Sequence, residues 1–139
     1  MASGALEMRL VVTTDDYAAA LAFYRDALGL REIAAFDDGA GHVAILDAGR
    51  ATLELSDVAH AEHIDQLEVG RRVAGHFRLA FGVADARATT DTLVSAGATL
   101  IAAPVETPWH SLNSRLLAPA GVQLTLFEAL EPEVADSAD

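Results

Sequence analysis

The chain carries one strand–helix unit twice. Residues 8–30, MRLVVTTDDYAAALAFYRDALGL, run from an extended apolar segment through an Asp and a helical pattern to a stopping Gly. Residues 77–98, FRLAFGVADARATTDTLVSAGA, repeat that order. Arg9-Leu10 aligns with Arg78-Leu79, Asp16 with Asp85, and Gly29 with Gly97 after the loss of one residue. Internal repetition constrains the architecture before any local signal does. Paired units can enclose a cleft between their sheets, and a cleft is where function is expected.

Around each unit, further segments repeat. Met8–Thr13 alternates as a strand does, with Met8, Leu10 and Val12 on one side and Arg9, Val11 and Thr13 on the other. Asp15 or Asp16 is placed to cap the next helix by accepting from its first N–H groups. Tyr17, Leu21, Tyr24 and Leu28 follow at helical spacing, Ala20 and Ala27 fill the stripe, and Gly29 ends the run in a left-handed cap. Arg31–Phe36 reads as a strand and Asp37-Asp38-Gly39 as a turn, with His42–Asp47 and Ala51–Ser56 as a hairpin. Residues 57–76 form a polar connector with room for a short helical turn. The second half offers a strand at Phe77–Val83, then a helix capped by Asp85 and running to Ala96. A strand at Thr99–Ala102 follows, then an irregular stretch at Pro104 and Pro108. Ser114–Leu117 and Val122–Phe127 make a hairpin around Pro119-Ala120-Gly121. Both halves therefore read β-α-β-β-β. No low-complexity linker parts them, so one domain is expected over residues 7–128, with modules at about 8–56 and 77–128 and the connector at 57–76.

At 139 residues, with 52% hydrophobic and 22% charged content, the chain is long enough for one real core. No apolar run reaches the length of a membrane span. The start, MASGALEMRL, lacks the basic flank and apolar stretch of a signal peptide, which points to the cytoplasm. Zero Cys excludes disulfides, thiol catalysis and thiolate metal sites. A net charge of −12 argues against nucleic acid and suits a cationic small molecule. Residues 129–139, ALEPEVADSAD, carry Glu131, Glu133, Asp136 and Asp139 without a base and are expected to form a solvated tail.

The ordered set of Asp16 before the helix, Phe23-Tyr24 and Leu28-Gly29-Leu30 at its end, Leu53-Glu54-Leu55, Ala118-Pro119-Ala120-Gly121 and Leu126-Phe127-Glu128 resembles the vicinal oxygen chelate superfamily. That group includes glyoxalase I, extradiol dioxygenases, and fosfomycin- and bleomycin-resistance proteins. The resemblance covers roughly residues 7–128 and rests on the set, the repeat and the length together. It implies an α+β fold of two βαβββ modules with mixed sheets that form an open cup. Helices cover the convex side, and the site lies on the concave side.

The enzymes of that superfamily bind one divalent metal at four concave positions, and the metal holds two adjacent substrate oxygens. By resemblance these positions fall here on Arg9, Glu54, Leu79 and Thr125. A slip of one residue would replace Leu79 by Arg78 or Ala80. Only Glu54 is a good ligand, whereas a zinc site needs about three protein donors. The expectation is therefore no metal and no cofactor. Strand alternation independently separates Leu53 and Leu55 from Thr52, Glu54 and Ser56, and Leu124 and Leu126 from Gln123, Thr125 and Phe127. Arg9 and Glu54 are expected to pair across the cup, orienting a guanidinium and a carboxylate for a ligand.

Trp109 and His110 follow Pro108 on a loop, where the Trp suits a cleft wall, and Arg115 is expected to reach the same opening. His60 and His63 sit three apart in the connector and read as a solvated turn, while His42 and His76 stand where strands begin. The expected function is a metal-free binding protein of the bleomycin-resistance type. It would take an antibiotic or metabolite, cationic or aromatic, and act as a homodimer. The alternative is a glyoxalase- or dioxygenase-like enzyme. A third reading is a structural dimer whose cup is filled by its own side chains.

Overall fold

In the computed structural model, described for residues 4–27, 29–37, 39–118 and 121–131, both modules join one eight-stranded sheet. The elements are β1 (Glu7–Thr14), α1 (Tyr17–Leu21), β2 (Arg31–Asp37), β3 (His42–Asp47), β4 (Thr52–Asp57), α2 (Val58–Glu68), β5 (Phe77–Gly82), α3 (Ala86–Ser95), β6 (Thr99–Glu106), β7 (Ser111–Leu117) and β8 (Gln123–Ala129). The strand order is β2-β3-β4-β1-β5-β8-β7-β6. In each module the first strand pairs parallel with the last, β1 with β4 and β5 with β8. The antiparallel β1–β5 ladder joins the modules and sets Arg9 opposite Ala80 and Val11 opposite Arg78.

Alternation along each strand divides the sheet into two faces. On the convex face, Ala44, Leu46, Leu53 and Leu55 form a core against Leu10, Val12, Tyr17, Ala20, Leu21, Tyr24 and Leu30. Val83, Ala86, Leu112, Leu116 and Leu126 form the matching core of the second module with Phe81 and Leu93. Asp16 and Asp85 cap the covering helices, accepting from Ala19 and Ala88 N–H at 3.0 Å each.

The expected continuous first helix is instead a short α-helix followed by a π-helical segment over Ala22–Ala27. With Gly29 at φ 85°, the Leu30 N–H reaches back to the Tyr24 carbonyl at 3.1 Å and brings Leu30 onto the core. The connector holds an eleven-residue helix rather than a short turn, because Ala61, Ile64, Asp65 and Glu68 share one buried face. β6 runs through Pro104, which an outermost strand tolerates, and its register shifts on both sides of Ala102. β7 begins at Ser111 rather than Ser114, since Ser111 still pairs with Ala129. Leu28, Asp38 and the Pro119-Ala120 turn lie outside the described residues, as do residues 132–139 and the Phe23 side chain. Among the described residues no helix is long and apolar enough to cross a membrane.

Leu55 is fully buried beneath α1. Leu55→Ala should lower the unfolding free energy by about 2–5 kcal/mol. Urea denaturation measures this, and a loss below about 1 kcal/mol would show that this core is not what holds the first module.

Candidate functional site

The concave face carries a row of side chains read from strand to strand. Thr52 of β4 lies beside Arg9 of β1, Arg9 beside Ala80 of β5, Ala80 beside Thr125 of β8, and Thr125 beside Arg115 of β7. In the adjacent row Glu54 stands beside Val11, and Val11 beside Arg78. Leu79 is a correction. It pairs with Leu10 and Leu124 on the convex face, and Ala80 and Arg78 take the concave positions. The cause is the apolar alternation of Phe77, Leu79 and Phe81, which turns the other set inward. The repeat already aligned Arg78 with Arg9, and both guanidinium-bearing residues face the cup.

Helix α2 lies across this face and fills its β7 side. Arg115 is 0% exposed. Its Nη2 and Nε donate to Glu68 Oε1 at 2.7 and 3.2 Å, and its Nη1 donates to Asp65 Oδ1 at 2.8 Å and Gln123 Oε1 at 2.7 Å. Asp65 Oδ2 accepts from the Val73 and Ala74 N–H groups and from Arg72, at 2.8, 2.9 and 3.1 Å. Burial works to raise the Asp65 carboxyl, but those N–H donors and Arg115 outweigh it and hold it below the usual range. Asn113 donates to Glu68 Oε2 at 2.8 Å and is itself bonded by the Ser111 hydroxyl. Arg115 therefore anchors α2 and does not reach an opening.

The β4–β1–β5 side stays partly open. Arg9, 29% exposed at its side chain, lies 3.9 Å from Glu54, which is 18% exposed. Arg9 Nε donates to Glu7 at 2.9 Å, and its guanidinium stands over the Phe127 ring at 4.8 Å. Gly82 permits this arrangement, because a Cβ there would press the Phe127 ring at 3.1 Å. Arg78 Nη1 donates to Thr125 Oγ1 at 2.7 Å, and Thr125 Oγ1 lies 3.5 Å from Glu68. Burial pushes the Glu54 carboxyl above the usual range, against the pull of Arg78 and Arg9. Burial likewise lowers the Arg78 guanidinium, against the pull of Glu68 and Glu54.

The superfamily's metal does not fit this donor set. Arg9, Glu54, Ala80 and Thr125 supply one carboxylate and one hydroxyl, and a guanidinium stands beside the carboxylate. Among the described residues no three His, Asp or Glu side chains come together to hold a metal ion.

Trp109, 48% exposed, and His110 occupy the β6–β7 turn, just before Ser111 opens β7. His110 has φ 63°, the left-handed region, in a turn that its N–H closes onto the Thr107 carbonyl. His60 and His63 lie on α2 with ring centroids 6.3 Å apart. A hollow of about 470 Å3 is lined by Gly39, Ala40, Glu62, His63, Gln66 and Arg72, and one of about 210 Å3 by Thr13, Asp15, Val58 and His76. Neither is lined by Arg9, Glu54 or Arg78.

His42 sits between two carboxylates, with Nδ1 2.8 Å from Asp57 and Nε2 3.2 Å from Asp37. Carboxylates only accept, so both contacts are hydrogen bonds when the imidazole is protonated. The bond to Asp57 is the main reason its pKa is raised. Asp57 also caps α2, accepting from His60 N–H at 2.9 Å and from His42 N–H at 3.0 Å. Gly41, at φ 109°, is required here because a Cβ would collide with the His60 backbone and the Asp57 carboxylate.

Asp65 and Glu68 escaped the sequence reading as site residues, and Arg78 entered it only as the residue a one-position slip would put in place of Leu79. The signals were the common spacing of Ala61, Ile64, Asp65 and Glu68, and the repeat's pairing of Arg78 with Arg9.

The sequence profile of the Glyoxalase/Bleomycin resistance protein/Dioxygenase superfamily matches residues 8–126. A hypothetical protein from Bacillus halodurans C-125 shares the fold at a TM-score of 0.66 and 19% identity, covering 90% of this chain and 94% of that one. Methylmalonyl-CoA epimerase from Mycobacterium tuberculosis superposes at 0.64 with 21% identity, covering 94% and 92%. The Streptomyces coelicolor epimerase in complex with 2-nitronate-propionyl-CoA gives 0.65 and 20%, covering 92% and 100%. No curated protein matches the sequence significantly.

Two predictions follow from the ionic contacts of α2. Arg115→Met should cost about 3–5 kcal/mol in chemical denaturation, because Asp65 and Glu68 remain buried without their cation. Arg115→Lys should recover only part, since an ammonium cannot fork between two carboxylates. For His42 the folded pKa lies above its unfolded value of 6.5, so its stabilisation is complete below that value and is lost as pH rises through the folded pKa. His42→Gln should therefore destabilise more at about pH 5.5 than at about pH 9, read as the difference between melting temperatures.

Proposed function

This chain belongs to the Glyoxalase/Bleomycin resistance protein/Dioxygenase superfamily, and from that premise we propose that it is a small-molecule binding protein that works without the superfamily's metal. The ligand is an antibiotic or metabolite held on the concave face by Arg9, Glu54 and Arg78, with the Phe127 ring as an apolar wall. The protein acts as a cytoplasmic homodimer in this reading. The observation that carries the proposal is that Arg9, Glu54, Ala80 and Thr125 stand at the metal's donor positions, with the Arg9 guanidinium 3.9 Å from Glu54, the single carboxylate of those four. A partly buried ion pair is a weak stabiliser, because desolvation offsets the Coulomb gain. Its use is to present oriented charges to a partner.

A second reading is an enzyme that moves a proton with Glu54. The raised pKa of this carboxyl favours it, as a general base works best when poised near the working pH. Methylmalonyl-CoA epimerases, which are enzymes, share the fold.

Thermal-shift titration against antibiotics and small metabolites, with divalent metals as a separate arm, tests the first reading. A ligand at about 100 times its Kd should add about 2.7 kcal/mol of stability, and Arg9→Met with Glu54→Gln should remove that gain. Stoichiometric metal in purified protein, lost in Glu54→Ala, would overturn the reading. Turnover abolished by Glu54→Gln with ligand binding retained would favour the enzyme.

A further inference from the structure

We infer that Arg78 and Arg9 together form a receptor for a ligand carboxylate, and that Glu54 accepts a hydrogen bond from a hydroxyl or amine on the ligand's neighbouring carbon. The inference deepens the binding reading above and rests on it. It assigns the ligand as an anion rather than the cation that the overall acidity suggests.

The argument is an inventory of hydrogen-bonding capacity. A guanidinium carries five N–H donors. Arg115 spends its donors on Asp65, Glu68 and Gln123 and is sealed from solvent. Arg78 is different. Among the described residues its one side-chain hydrogen bond goes to Thr125 Oγ1. Its carboxylate neighbours Glu54 and Glu68 act on it through charge alone. Arg9 bonds Glu7 at the rim through Nε, and its Nη1 is too far from Glu54 at 3.9 Å for a hydrogen bond. Its Nη groups therefore remain available. Glu54 accepts no hydrogen bond from any described residue although little of its side chain is exposed.

These groups are held in place. Arg9 is oriented by the Phe127 ring and Glu7, Arg78 by Thr125, and Val11 lies between Glu54 and Arg78 in the sheet register. Between them, two guanidiniums offer donors and one carboxyl offers an acceptor. A carboxylate satisfies guanidinium donors with forked, charge-assisted bonds. An O–H or N–H one atom away satisfies Glu54. The net charge of −12 works at longer range, where salt screens it within about 8 Å, and does not set the chemistry at contact. Burial raises the Glu54 pKa, while Arg78 and Arg9 act the other way and favour its ionised, accepting form.

The test uses the full chain, labelled with 15N, and four probes: mandelate, phenylacetate, benzylamine and benzyl alcohol. Mandelate carries a carboxylate with a neighbouring hydroxyl, phenylacetate lacks the hydroxyl, benzylamine is a cation, and benzyl alcohol is uncharged. Amide shifts at Val11, Ala80 and Thr125 report binding at the concave face. The expected order is mandelate tighter than phenylacetate by about tenfold, the added hydrogen bond to Glu54 contributing that factor, with benzylamine and benzyl alcohol weaker than both. Arg78→Met should abolish binding of both anions, while Glu54→Leu, which leaves no acceptor, should leave phenylacetate binding in place and remove mandelate's advantage. Arg78→Lys guards against misfolding of the Met variant. It keeps the charge, and should weaken mandelate binding at least tenfold while circular dichroism stays unchanged. Benzylamine or benzyl alcohol binding at the same amides as tightly as mandelate would overturn the anion assignment and leave the binding-protein reading standing. Anion binding unchanged by both Arg78 variants would also overturn it. A ligand from the broader panel that binds at other amides, with no carboxylate bound at these, sinks the inference alone. No response to any small molecule sinks both readings.

Discussion

Arg115, closed between Asp65 and Glu68, is the contact on which the concave face depends. Each of these three side chains would be costly to bury alone. Together they leave few donors or acceptors unused, because Asp65 also takes two backbone N–H groups and Glu68 takes Asn113. The cluster fixes α2 against β7, so β7 is covered on both faces, by α2 through Asn113 and Arg115 and by α3 through Leu112 and Leu116. It also divides the cup. The β7 side is closed by charges that neutralise one another, and the β4–β1–β5 side keeps charges whose hydrogen bonds are not completed among the described residues. Thr125 links the two regions, accepting from Arg78 and lying 3.5 Å from Glu68.

The other end of α2 is held by a weaker and more exposed device. Asp57 gathers the His42 imidazole and the backbone N–H groups of His42 and His60. Burial raises its carboxyl, but the hydrogen bonds prevail and leave it lowered. The Asp57 carboxylate is held ionised, so that end of the helix loses the His42 contribution as pH rises through the raised pKa of the histidine. The helix that shapes the candidate site is thus clamped by the buried Arg115 guanidinium at its C-terminal end and by the His42–Asp57 contact at its start.

Much of the fold was legible because alternation and caps are local signals. The two Asp caps, the strand alternations and the repeated unit each follow from a few neighbouring residues. What could not be read required knowledge of distant partners. Asp65 and Glu68 look like solvated charges in a polar connector until Arg115, some fifty positions away, is known to face them. The concave set of β5 depended on register. Leu79 was carried inward by resemblance, while Phe77, Leu79 and Phe81 form the apolar side that must turn away, and the pairing of Leu79 with Leu10 and Leu124 enforces this. Arg115 was placed at an opening because a strand pattern specifies a face, not what covers that face.

The repeat has a further consequence for the chemistry. Arg9 and Arg78 are equivalent positions of the two units, and the register brings them to the same face on neighbouring strands. Two guanidiniums match the charge of a divalent cation but act differently. A metal polarises a bound oxygen by coordination and lowers the pKa of groups attached to it. Guanidiniums present directed N–H bonds to an anion that is already formed, and their charge is spread over planar groups. Such a pair favours holding a ligand over activating it. Glu54, desolvated beside that pair, would serve as the acceptor that distinguishes one bound anion from another. On that physical ground an arginine at one donor position, with a second arginine beside it on the same face, suits holding an anion, and proton transfer by Glu54 would have to proceed with the guanidiniums as its nearest electrostatic support.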